Sequence, residues 1–232
     1  MAKAAMSGPP HGYKKIEGRE HMNVEPLRRV GRPDQQASEE LVQHIVATAA
    51  RHFIRQGYAA TSIEQIAAAA GSGKQTIYRR FVSKESLFIE VISRQGQRLT
   101  EMAKAAHATG ASPLDSLRGV ARMMLDFMLD PEMIGLHRVL IAEASRFPDT
   151  VAAVHESCSK PIQDLLHAAL REAQRAGQIH FDDVAQTQMQ MIGLVASGAV
   201  QKTLIGQTAF ETPGERDAYF ETAWKVFLHG VS

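Results

Sequence analysis

The segment Thr61–Phe88, TSIEQIAAAAGSGKQTIYRRFVSKESLF, constrains the fold more than any other part of the chain. Its spacing predicts two short helices joined by a glycine turn, then the capped start of a third. Thr61 and Glu64 have the T-x-x-E spacing of a capping box, which marks a helix start. Ile63, Ile66, Ala67 and Ala70 follow at i, i+3, i+4, i+7 and form one apolar face. Gly71 stands where that helix must stop and reverse. The next helix is too short to be stable alone. It places Ile77 and Phe81 on one side and leaves Lys74, Gln75, Thr76, Tyr78, Arg79 and Arg80 for the others. Cations neutralise phosphate, while amides and hydroxyls read base edges, so such a face suits a DNA major groove.

Ala70–Leu87 resembles the DNA-binding domain of TetR-type transcriptional regulators, whose usual wording is roughly A-G-V-S-x-x-T-L-Y-x-x-F-x-S-K-E-x-L. The matches are Ala70, Gly71, Thr76, Tyr78, Phe81, Ser83, Lys84, Glu85 and Leu87, without a gap. Ser72 and Gly73 stand where that wording has valine and serine. Glycine is only a few tenths of a kcal/mol worse than serine as a helix cap, roughly, so the departures touch the turn and not the motif. The resemblance implies that Thr61, Ser62 and Lys84 bind phosphate at helix starts. It also implies that Lys74, Gln75, Thr76, Tyr78, Arg79 and Arg80 enter or border the major groove, with Gln75 reading a base. The other reading of the same face is a solvated helix surface.

The stretch Gly71-Ser72-Gly73-Lys74 imitates a phosphate-binding P-loop. That motif needs glycine where Ala68 stands, Ser or Thr where Gln75 stands, and a strand before the loop. A helix precedes it here, so nucleotide binding is set aside.

Hydrophobic residues make up 44% of the 232, enough for a sizeable core, and aromatics only 6%. The apolar spacing is helical almost throughout, which predicts an all-α protein. Net charge is +1, but it is unevenly spread. Residues 23–94 carry 10 basic and 7 acidic side chains, while residues 95–232 carry 12 and 16. The excess positive charge sits with the helix-turn-helix and the rest of the fold is acidic, the sign expected of a DNA-binding head on a non-binding body. The single cysteine, Cys158, excludes a disulfide framework. The absence of a signal-peptide pattern and of any long apolar run leads us to expect a cytoplasmic protein with no membrane span.

Three regions are expected. Residues 1–33 are a leader and a basic arm. Up to about residue 22 the leader reads either as vector-derived, with Ile16-Glu17-Gly18-Arg19 like a protease site, or as a native disordered tail. Arg28, Arg29 and Arg32 of the arm could enter an A·T-rich minor groove or lie in a solvated linker. Residues 34–83 form the three-helix DNA-binding domain, whose first helix runs from about Ser38 to Gln56. Residues 84–232 form a helical ligand-binding and dimerisation domain. Ser83 caps its first, long helix. Five more follow at Leu114–Leu129, Pro131–Arg146, Thr150–Ala176, Asp183–Ile205 and Glu215–His229, and Pro161 should kink or split the third of these. This body resembles the C-terminal domain of the AefR-like TetR subgroup, notably over His137–Pro148, HRVLIAEASRFP.

Met123, Met124, Phe127 and Met128 cluster on one helix, and methionine suits adaptable pockets. Singly each residue reads as ordinary core. The family resemblance implies a cavity here, closed by Met133, Leu136, His137, Leu140 and Met189. Gly193, Ala196 and Gly198 permit close backbone approach, and Phe220, Trp224 and Phe227 give the last helix an aromatic face. By the same resemblance these two helices form a four-helix dimer interface, the other reading being burial within one protomer. Ten histidines show no zinc spacing, and His155 with Cys158 lacks a third, orienting group. The expectation is a homodimeric regulator without cofactor, metal or catalytic residues. It would bind a palindromic DNA operator and be released by a small apolar effector. The alternative is a helical ligand-binding protein or enzyme that keeps a DNA-binding-like head.

Overall fold

A computed structural model describes residues 35–231 except 147, 150, 151, 153–155, 157 and 158. The leader, Arg32 and the His155–Cys158 pair lie outside the described residues. Those described form helices and no strand.

The head holds α1 (Gln35–Gln56), α2 (Ile63–Ala69) and α3 (Lys74–Arg80). Helix α1 starts earlier than expected and stops at Gly57, whose φ of 84° reverses the chain. Helix α2 starts one residue later than the Thr61–Glu64 spacing indicates. Its cap is Ser62, whose Oγ accepts from the Gln65 amide while the Ser62 amide donates to Gln65 Oε1. Glutamine serves the capping box as well as glutamate does, so the sequence offered two registers one residue apart. Burial decides between them: Thr61 is 2% exposed and its hydroxyl donates to the Gly57 carbonyl at 2.7 Å. At the other end Gly71, with φ 60°, closes a Schellman turn, its own amide bonding Ala68 and the Ser72 amide bonding Ala67.

Helix α4 (Lys84–Ala108) begins at the Ser83 cap, which exchanges bonds with Ser86. It is shared between two hydrophobic cores. Leu87, Phe88, Val91 and Ile92 join the head core with Ile45, Phe53, Ile66 and Ile77. Ala103 joins the body core. Phe53 and Phe88 meet edge to face, centroids 5.2 Å apart.

The body continues with α5 (Pro113–Met128), α6 (Pro131–Glu143), α7 (Lys160–Arg175), α8 (Val184–Ile192), α9 (Gly198–Leu204) and α10 (Pro213–Gly230). Ser112, Asp130, Asp183 and Thr212 cap α5, α6, α8 and α10. Pro161 lies in the first turn of α7, where its missing amide proton costs nothing. The expected Asp183–Ile205 helix is interrupted by a π-helical turn at Gly193–Ser197. Tyr219 of α10 donates to the Leu194 carbonyl inside that turn at 3.0 Å.

Helix α6 belongs to the body in sequence, yet Leu136 and Val139 lie in the head core. Gly135 makes this possible. A Cβ there would come within 2.7 Å of Ile54 on α1, so only glycine lets the two helices approach this closely.

Candidate nucleic-acid interface and body cavity

Helix α3 is held to the head by two side chains. Ile77 is 0% exposed and Phe81 is buried one turn later, so the 3.6-residue period turns Lys74, Gln75, Tyr78 and Arg79 outward. Arg80 is exposed too and its guanidinium bonds Ser38 of α1. Thr76 is half-buried. Lys74 pairs with Glu64 of α2, and that hydrogen bond raises the pKa of the lysine and lowers that of the glutamate. The pair brackets the turn of the helix-turn-helix. Gly73 caps α3 without a side-chain bond, as its lack of a hydroxyl requires.

Two of the residues expected at phosphate are otherwise engaged. Thr61 is buried and bonded within the head, leaving Ser62 as the half-exposed residue at the start of α2. Lys84 points its ammonium back into the head. It donates to the carbonyls of Tyr58 and Thr61, each at 2.8 Å, and lies 4.3 Å over the Tyr58 ring. Partial burial pushes its pKa down. Lys84 thus clamps the α1–α2 loop to the start of α4.

The body holds a partly open cavity of about 310 Å³ between α4, α5, α6, α7 and α8. Met124, Phe127, Met128 and His137 line it, as do Met133, Leu136 and Leu140. Two expected residues do not. Met123 packs against the body core beside the cavity. Met189 is 68% exposed, and Gln188 and Ile192 of the same helix face the cavity instead. One residue along a helix is a rotation of about 100°, enough to carry a side chain from wall to solvent. Burial pushes the His137 pKa below its ordinary value and favours the neutral ring. Among the described residues, no Asp, Glu, Lys or Arg lines the cavity. Gln95, Gln163 and Gln188 do, and sequence reasoning missed all three. Gln95 carried a usable signal, since it interrupts the apolar stripe Ile92, Leu99, Met102 at helical spacing.

The expected dimer face divides in two. Phe220, Trp224, Phe227 and Ala196 are buried within the protomer, Trp224 at 4% exposure. Phe220 stacks on Trp224 with centroids 6.1 Å apart, and Arg118 and Arg122 also lie over its ring. These four residues are therefore core of one chain. The aromatic spacing that suggested an interface is what the protomer needs to seat α10 on α8 and the π-helical turn. Gly193 and Gly198 are exposed, as are Leu194 and Val226.

Comparison with known proteins supplies the context for this geometry. Residues 45–91 match the model for bacterial regulatory proteins of the tetR family. Residues 115–230 match that of the AefR-like transcriptional repressor C-terminal domain. The transcriptional regulator AcrR of Shigella flexneri is 24% identical over 204 residues, covering 86% of this chain and 94% of its own. A crystal structure of a TetR-family regulator from Mesorhizobium loti shares the fold, with a TM-score of 0.75 at 23% identity over 84% of this chain and 98% of that one. The flavonoid-responsive regulator FrrA has a TM-score of 0.66 at 26% identity over 84% of this chain and 98% of its own.

Proposed function

Because the chain belongs to the TetR family of DNA-binding transcriptional regulators, with an AefR-like C-terminal domain, we propose that it acts as a homodimeric repressor released from a palindromic operator by a small, largely apolar molecule. One observation carries the ligand-release part. Ile92 of α4 and Leu136 of α6 belong both to the cavity wall and to the head core. A molecule that enlarges the cavity must move those helices or be rejected, and movement of either helix reaches the seat of α1. FrrA, which answers to flavonoids, supports a small-molecule effector.

In the proposed complex two recognition helices enter successive major grooves, ~34–36 Å apart. Gln75 reads a base edge, Lys74, Thr76, Tyr78, Arg79 and Arg80 border the groove, Ser62 meets phosphate, and Arg32 lies in the minor groove. The effector acts only if it binds the off-DNA shape more tightly than the on-DNA shape. The exposed Gly193, Leu194, Gly198 and Val226 supply the face between protomers. The protein is a cytoplasmic binder and catalyses nothing.

The test is selection of genomic fragments on the purified protein, followed by titration of the selected duplex with and without candidate apolar molecules. The expected result is preference for an inverted repeat, two protomers per site and release by at least one compound. Equal affinity for random and selected DNA would return the head to the alternative, a helical binding protein or enzyme that merely keeps this fold.

A further inference from the structure

Gln95, which lines the cavity, carries an acceptor without a donor. Gln95 Nε2 donates to Glu132 Oε1 on α6 at 3.2 Å, which fixes which end of the amide is which. Its Oε1 is buried and has no hydrogen-bond partner in the protein. An unpaired buried amide oxygen is a standing cost, met by whatever donor arrives. The rest of the wall is chiefly aliphatic, thioether and aromatic. Behind Gln95 stands the Glu132 carboxylate, which repels an anion.

We propose that the effector is an uncharged molecule with an apolar body and a hydroxyl or N–H donor, and that Gln95 Oε1 accepts its hydrogen bond. This rests on the reading of the cavity as the effector site and adds the class of molecule that site selects. A carboxylate is disfavoured, because the described wall residues include no lysine or arginine and Glu132 stands behind the one fixed amide. A pure hydrocarbon fits the wall and leaves Gln95 unpaired. Gln95 and Glu132 lie on α4 and α6, the two helices that also enter the head core. The donor therefore docks on the pair of helices that would carry the signal.

The probes are 2-naphthol, its methyl ether and naphthalene-2-carboxylate, which share one body and differ in donor and charge. Binding is measured by calorimetry on the full chain, for wild type, Gln95→Met and Met124→Trp. Wild type should prefer the naphthol over the ether by about three- to tenfold, the yield of one neutral hydrogen bond, and should not bind the carboxylate detectably. Gln95→Met should equalise naphthol and ether. Met124→Trp should lose both, which places the binding in this cavity. The wild-type ratio decides the matter even if a variant misfolds. Equal binding of naphthol and ether, or preference for the carboxylate, overturns the assigned class while leaving the cavity as a ligand site. Binding of none of the three, or unchanged binding to a folded Met124→Trp, overturns the class and the cavity reading together.

Discussion

The recognition helix and the body cavity differ in how tightly local sequence holds them. Helix α3 has seven residues, one buried face and one exposed face. Once Ile77 and Phe81 are seated, every other side chain has a single place to go. The cavity is built from five helices, and most of these bury more than one face. Apolar periodicity there says that a residue is buried without saying against what. A short helix docked by one stripe can be read residue by residue, whereas a bundle interior must be solved as a whole.

Substitutions can break that comparison, beginning with the largest effect. Trp224→Ala should cost about 3–5 kcal/mol, the range for emptying a large aromatic site in a core. The urea midpoint should fall equally at all protein concentrations. A deficit that grows on dilution would restore Trp224 to an interface between chains.

Ile77→Ala should cost about 2–5 kcal/mol, but locally. Hydrogen exchange should quicken in α2 and α3 and leave α5 and α7 protected, and operator binding should vanish. Uniform loss of protection across both regions would mean that head and body fold as one unit, and that the contrast between them is only geometric.

Lys84→Met tests a residue that the family resemblance puts at phosphate and the structure puts against the carbonyls of Tyr58 and Thr61. Removing a charged donor from its carbonyls should cost about 1–3 kcal/mol of stability, with little change in the salt dependence of DNA binding. A phosphate contact would instead leave stability alone and reduce the salt slope by about 1. The second pattern would return Lys84 to the DNA.

The smallest effect is that of His137. Its folded pKa lies below the ordinary value because burial penalises the charged ring. Between the two values the unfolded chain binds a proton that the folded chain does not, so stability falls as pH falls through that window. Between about pH 7 and about pH 5, on either side of the ordinary histidine pKa, wild type should therefore lose more stability than His137→Gln. Equal losses in urea titrations would put the imidazole in solvent and not in the cavity wall.

The sequence made the helical architecture and the DNA-binding motif legible because those signals are local. Gly57, Gly71 and Gly177 mark helix ends, and the structure gives each a positive φ. Ser83 caps α4 as its place before Lys84 indicates. Even locally, adjacent candidates compete. Ser62 displaces Thr61 as the α2 cap because the threonine is drawn inside to bond Gly57.

The remainder was decided in three dimensions. Met189 faces solvent while its neighbour Gln188 faces the cavity, a phase that no single-helix pattern reports. Phe220, Trp224 and Phe227 close one protomer's core because α10 lies on α8 and the π-helical turn and is tied to α5 through Arg118 and Arg122, a pairing set by helices distant in sequence. Gly135 admits Ile54 from a helix about eighty residues earlier, so α6 reaches the head core. Local sequence determines where a helix begins, ends and turns its apolar side, because those depend on backbone bonds a few residues apart. Which apolar side meets which neighbour depends on close packing among all the helices at once, and only the tertiary structure settles that.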